Sequence, residues 1–339
     1  MRRWRIPDRR RPRDRRLLTG PHRRLRGRAG RRAGHGGLTR PHLRGRRDRQ
    51  RLVPELPEVA AHAERLSAGF AGTPLARFEP MHPAVLKTFD PRPAAAASKA
   101  LKEVGHRGKY LLLRFGEGNG GYETSDLTFV VHLMQAGRLR IDTNKARKPR
   151  GGIARWTFAD GPALLLTEAG TERRAGVWLL AGDPGAVEPL ARLGPDAHTI
   201  GRDEFAQRLA AASERVHGFL RDQSHLAGIG RLLANEILHT ARISPFANTS
   251  RLDGDAVDRL HAAITTSIAR GLAAERERED MGRSQDRPSD VHHRVGEPCP
   301  ACGDTVRSVE YRRYRVAYCP TCQTGGKVLA DNTTSRFLK

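Results

Sequence analysis

Cys299, Cys302, Cys319 and Cys322 are the only cysteines in the chain and fall within 24 residues, in the pattern Cys-x2-Cys-x16-Cys-x2-Cys. Two such knuckles on either side of a hairpin present four thiolates to one ion, the tetrahedral sulfur set that Zn2+ prefers. A single structural zinc is therefore the expected cofactor. Crowding at one end speaks for a metal site in a reducing compartment and against a disulfide framework. Pro298, Pro300, Pro320 and Gly303 supply turn chemistry, and Val306, Val309, Tyr311, Val316 and Tyr318 supply strand residues, so a zinc finger is expected over 298–325. Arg307, Arg312, Arg313 and Arg315 give the hairpin a basic surface. That surface suits contact with DNA or RNA, with a solvated charged face as the plain alternative. His292 and His293 stand just upstream; with four sulfurs already completing the shell, they are expected at the surface or facing nucleic acid.

The elements that must position this finger follow from the patterning. Pro54-Glu55-Leu56-Pro57-Glu58-Val59 opens a helix, in which Val59, Ala63 and Leu66 form one apolar stripe. Pro57 suits the first turn, and Glu58 favours the positive end of the dipole. Strands are expected at 110–115, 127–134, 137–141, 154–158, 163–167 and 176–180, separated by turns bearing Gly and Asp, which favours a sandwich or barrel. After Leu193-Gly194-Pro195-Asp196 the pattern becomes helical, at 205–212, 216–220, 231–241 and 255–272. Gly228-Ile229-Gly230 interrupts the helices with a tight turn where backbone amides can approach a phosphate. The charged stretch 275–288, apolar only at Met281, reads as a loop or linker. The fold class is thus α+β. Its expected parts are a leader (1–53), a β-sandwich with a leading helix (54–192), a helical domain (193–274), a linker (275–297), the finger (298–325) and a tail (326–339).

Of the net charge of +24 over 339 residues, residues 1–52 supply +18, through 21 Arg and 3 Asp, which leaves +6 for the body. The leader has no apolar period with which to build a core. It reads either as a basic arm that adds non-specific affinity for nucleic acid or, preferably, as a translated GC-rich upstream stretch, with Val53 as the true initiator. No apolar run approaches the roughly 20 residues needed to cross a bilayer, and no signal-peptide core is present. Integral membrane and secreted proteins are excluded on that basis.

Several short motifs occur in one order: Pro54 to Val59, Arg107-Gly108-Lys109-Tyr110-Leu111, His132-Leu133-Met134, Arg173-Arg174, Leu193-Gly194-Pro195, Gly228-Ile229-Gly230, Ala234-Asn235-Glu236 and the cysteine finger. Their order and spacing resemble the formamidopyrimidine-DNA glycosylase / endonuclease VIII family of base-excision repair enzymes, from Pro54 to about Thr324. The opening hexapeptide is more similar to the formamidopyrimidine branch.

The resemblance implies an N-terminal β-sandwich, a helix-two-turns-helix domain and a C-terminal zinc finger. It also implies a bifunctional DNA glycosylase and AP lyase, monomeric, cytoplasmic and nucleoid-associated in a bacterial-type cell, acting on double-stranded DNA that contains damaged bases or abasic sites. Pro54 would be the nucleophile, its secondary amine attacking C1′ of the damaged nucleotide. An amine of this kind titrates near pH ~8 and is partly unprotonated at neutrality, but a proline locked in a peptide bond has no such amine. Glu55 would protonate the sugar ring oxygen, Glu58 would hold the geometry, and Lys109 would contact phosphate. Glu236 would stand near the flipped base. His132 would contact DNA, Met134 or Gln135 and Arg174 would fill the gap left by the extruded nucleotide, with Arg174 facing the opposite base, and Gly230, Arg231 and Asn235 would grip the backbone. The chain departs from the formamidopyrimidine pattern at Gln135 and Ala175, where that branch has Met and Phe, at Arg231 for Asn, and at Tyr314 for Arg, where Arg313 and Arg315 flank the position. A catalytically silent DNA-binding module of the same fold is the alternative of another class.

Overall fold

Two four-stranded antiparallel sheets form the first half of the body. One has the order β2 (Ala100–Arg107), β3 (Tyr110–Gly116), β4 (Leu127–His132), β8 (Gly176–Ala181); the other has the order β1 (Leu75–Pro80), β6 (Gly152–Phe158), β7 (Ala163–Glu168), β5 (Gly137–Asp142). The computed structural model describes residues 53–117, 120–169, 172–281, 286–311 and 314–330. The leader, Arg313 and most of the tail lie outside the described residues. Leu111, Phe115, Phe129, Trp156, Leu164 and Leu166 interlock between the sheets with no exposed surface, as alternation along each strand requires. All six expected strands form. The two that the pattern did not give, β1 and β2, each carry a register shift, between Leu75 and Arg77 and between Leu101 and Glu103. A bulge breaks the two-residue period that marks a strand in sequence.

Helix α1 (Leu56–Phe70) lays its Val59, Ala63 and Leu66 stripe into the sandwich core. Leu56 and Ala60 belong instead to a second core, built by α2 (Arg202–Ala211), α3 (Val216–Arg221), α4 (Arg231–Thr240) and α5 (Gly254–Arg276) around Phe205, Phe219, Ile237 and Leu260. A helix buried on two sides is apolar around most of its circumference, and this is why α1 is buried without a break from Leu56 to Ala63. Its N-terminus is held where the two cores meet.

Strands β9 (Arg307–Tyr311) and β10 (Tyr314–Tyr318) pair as a hairpin before the short helix α6 (Pro320–Thr324). Val309, Val316 and Tyr318 pack toward Phe246, and Gln323 Nε2 donates to the Ile243 carbonyl at 2.9 Å, fixing the finger to the end of α4. The stretch expected to be a linker does more than connect. Its first residues complete α5, Met281 is buried in the sandwich core, and Arg287 is buried among carboxylates. Charged residues gave no sign of this, because their burial depends on partners far away in the chain. Among the described residues no helix is long and apolar enough to cross a membrane.

Candidate active site

The register of the first sheet gathers three of the motifs at one end. Tyr110 pairs with His132 and His132 with Gly176, so the Gly108-Lys109 turn, the His132–Gln135 turn and the Arg173-Arg174 segment are side by side. Gly108 has φ +55, and its N–H donates to Asp196 Oδ1 at 2.7 Å. A Cβ there would touch the Cβ of Ala227 at 3.0 Å. Arg107 clasps the same Asp196 at 3.0 Å and donates to the Gly194 carbonyl at 2.7 Å. The hairpin that carries Lys109 is thereby pinned to the helical half. Burial lowers the Lys109 pKa to about 8, against the opposing pull of Glu55 and Glu58. His132, lowered to about 4 by burial and by Lys109, is neutral, and its Nδ1 accepts the Met134 N–H at 3.1 Å. Met134 itself sits at φ +49, with Gln135 exposed beside it. Arg174 is exposed and pairs with Glu172 at 2.9 Å.

The N-terminus of α1 meets the N-terminus of α4. Leu56 N–H donates to the Gly228 carbonyl at 3.0 Å. The Glu55 carboxylate accepts the N–H groups of Leu232 and Leu233 at 3.0 and 2.9 Å, where the α4 dipole favours negative charge. Both glycines of the turn are needed for this approach. A Cβ on Gly228, which has φ +106, would stand 2.6 Å from Leu56 Cδ1, and one on Gly230 would stand 2.1 Å from Glu55 Oε1. Gln223 steadies the turn, accepting the Gly228 N–H at 3.0 Å and donating to the Ile229 carbonyl at 2.9 Å. Pro54 is buried directly before this junction.

Arg287 completes the cluster, and nothing in the pattern had singled it out. Its two terminal nitrogens lie 3.0 Å from Glu55 Oε2 and 3.1 Å from Glu58 Oε1. Burial pushes the Glu58 carboxyl up to about 7 even though the Arg287 guanidinium pulls it down. Glu58 also accepts the Glu55 N–H at 2.9 Å. Beside this cluster a cleft of about 480 Å3 is lined by Lys109, His132, Arg192, Arg221 and Asp222 among others. Lys109, Arg192 and Arg221 against the single carboxylate of Asp222 make it a place for a polyanion. A larger depression of about 610 Å3 runs along Lys99, Lys102 and Glu117 and holds none of these groups, so size does not mark the chemistry here.

Arg231 opens α4 and is half-buried. Asn235 and Glu236, one turn on, are buried and face the approach to the finger. Asn235 Nδ2 donates to His292 Nδ1 at 2.7 Å, and Glu236 accepts the N–H groups of Asp290, Val291 and His292 at 2.6, 3.1 and 2.8 Å. His292 is therefore not the surface residue expected. It is 7% exposed, drawn inward because Asn235 offers its ring a partner, whereas His293 is exposed.

The four cysteine sulfurs lie within 4.8 Å of one another, with Cys299–Cys322 at 3.9 Å and Cys302–Cys319 at 3.4 Å. Tetrahedral zinc with Zn–S near 2.3 Å needs sulfur separations of about 3.8 Å, so the donor set and its spacing fit the ion. Arg315 is exposed on β10.

Residues 53–178 match the family described as the formamidopyrimidine-DNA glycosylase N-terminal domain, and residues 192–281 match its H2TH domain. A formamidopyrimidine-DNA glycosylase of Symbiobacterium thermophilum is 31% identical over 80% of this chain and 89% of its own length. The chain belongs to the formamidopyrimidine-DNA glycosylase family. An uncharacterized formamidopyrimidine-DNA glycosylase-like protein of Mycobacterium tuberculosis is 42% identical over 46% of this chain and 99% of its own. The crystal structure of Lactococcus lactis Fpg with a DNA containing N7-benzyl-Fapy-dG shares the fold, with a TM-score of 0.70, 23% identity, and coverage of 80% of this chain and 100% of that one. The same enzyme with an abasic-site DNA gives a TM-score of 0.68 at 22% identity, over 80% and 99%.

Proposed function

We propose that the protein is a base-excision repair DNA glycosylase with AP lyase activity that removes oxidised or ring-opened bases from double-stranded DNA. The observation that carries this reading is the convergence of Pro54 and Glu55 with the Lys109 turn, the Gly228–Gly230 turn and Arg287, at the edge of a cationic cleft. In a chain that begins at Pro54, the proline nitrogen attacks C1′ and the N-glycosidic bond breaks. Glu55 takes the proton that the proline nitrogen loses after its attack and delivers it to the ring oxygen, the sugar opens, and an iminium joins C1′ to the protein. Loss of the C2′ proton then expels the 3′ phosphate oxygen, and a further elimination expels the 5′ phosphate. Lys109 holds the phosphate beside the lesion, and Glu58 with Arg287 fixes the Glu55 carboxylate. His132, Met134, Gln135 and Arg174, aligned at one sheet end, face the gap and the opposite base. Gly230, Arg231 and Asn235 serve the backbone at the start of α4, and Glu236 supports them by holding 290–292. Arg315 and Arg313 contact phosphate from the finger, which one Zn2+ on Cys299, Cys302, Cys319 and Cys322 stabilises. The working units are 54–192, 193–274 and 298–325, in a monomer acting at the nucleoid.

Borohydride trapping on a duplex with one abasic site tests this. Protein starting at Pro54 is compared with the 339-residue form and with Pro54→Gly in the short form, and the cross-linked peptide is mapped. Cross-linking at residue 54 of the short form alone is the expected result. A short form that binds the duplex and never cross-links makes the protein a silent DNA-binding module.

A further inference from the structure

The face of α4 that looks toward the finger carries Asn235 and Glu236 and, about one turn later, His239. Asn235 and Glu236 hold the backbone and ring of 290–292, and His239 reaches further, with its Nε2 3.2 Å from Cys299 Sγ. The imidazole is 6% exposed and Cys299 is 3% exposed, so water does not serve that sulfur. The four cysteine sulfurs are mutually within 4.8 Å and His239 is not among the group, which places the ring outside the ligand quartet and on the outer side of one of its members.

We infer that His239 is an outer-sphere positioning residue of the metal centre, donating its Nε2–H to the Cys299 thiolate. A thiolate on zinc keeps lone-pair density directed away from the ion. An N–H aimed at it stabilises that charge, orients the sulfur and makes the site hold metal more firmly, as partners of first ligands generally do. The donor comes from the helix whose first turn receives the Glu55 carboxylate through Leu232 and Leu233. The metal centre and the catalytic carboxylate are thereby held by opposite ends of one ten-residue helix, about 15 Å long at 1.5 Å per residue.

This inference rests on the reading of the four cysteines as a metal site, and the experiment separates the two. Metal content and chelator competition are measured on the full chain and on His239→Leu and His239→Gln, together with Co2+-substituted spectra. The Leu variant keeps the bulk of the ring without an N–H, whereas the Gln amide places a donor near the position of Nε2. Wild type is expected to bind one equivalent of zinc. The Leu variant should bind it about 10- to 100-fold more weakly, with a sulfur-to-cobalt charge-transfer band shifted to lower energy and ligand-field bands that still report four sulfurs. The Gln variant should restore most of both properties. Equal zinc affinity and identical spectra in wild type and the Leu variant would overturn the inference while leaving the metal site intact. So would ligand-field bands that change from three sulfurs and one nitrogen to a different set when His239 is removed, since that would make it a direct ligand. Wild-type protein that binds no zinc overturns both readings.

Discussion

Replacing Arg287 by Leu removes one cation from between two buried carboxylates. In the native protein Arg287 is 4% exposed, Glu55 2% and Glu58 0%, so neither acid can recover its hydration when the guanidinium leaves. Breaking a buried pair from one side costs about 3–5 kcal/mol. For a folded body of this size, each kcal/mol lowers Tm by about 2 °C, so a fall of about 6–10 °C is expected. Glu58, already pushed up to about 7 with Arg287 in place, should then carry a proton at neutral pH. Base excision under single-turnover conditions should drop about 100-fold, as a displacement of roughly 1 Å does for a positioned catalytic group. Scanning calorimetry at pH 7.5 and a gel assay on a lesion-bearing duplex measure the two effects. Arg287→Lys, a point charge in place of a fork, should fall between wild type and Leu. Adding Glu58→Gln to the Leu variant should restore part of the lost stability, because a neutral amide avoids the cost of protonating a buried carboxyl at the assay pH. The reasoning fails if the Leu variant loses less than about 2 °C, or if Glu58→Gln makes that variant worse by its own full cost.

Gly230→Ala should uncouple Glu55 from α4, because the added methyl would fall 2.1 Å from Oε1; excision measured at saturating enzyme should fall, and equal rates would refute the need for that close approach. Glu58 binds a proton in the folded state up to pH of about 7 and in the unfolded state only to about 4.5, so its burial makes stability decline as pH rises through that window, by about 3 kcal/mol in all. Melting curves of Glu58→Gln against wild type should accordingly move in favour of the variant between pH 5 and pH 8. Lys109, lowered to about 8, should lose its charge between pH 7 and pH 9, weakening duplex binding, and Lys109→Arg should flatten that profile in titrations at fixed salt. At pH 7, Lys109→Met should reduce the slope of log affinity against log salt by about 0.9.

The finger, the six apolar strand runs and the opening of α1 were legible in the sequence because their determinants are local. Four cysteines within 24 residues fix their own geometry, and short apolar runs bounded by Gly- and Asp-bearing turns mark strands without reference to distant partners. The ordered motifs also named the residues that gather at the site, from Pro54 and Glu55 to Lys109 and the glycine turn. What the sequence by itself left undetermined is how they are held. Arg287 reaches Glu55 across 232 positions, and the α4 amides reach it across 177. Such pairs leave no periodicity, and a charged stretch with one methionine looks like a solvated linker until its partners are in place. His292 turned inward for the same reason, since only the packing of the finger approach against α4 brings Asn235 to its ring. Tertiary structure decided these contacts because a buried charge or imidazole is stable only where distant residues supply its counterpart.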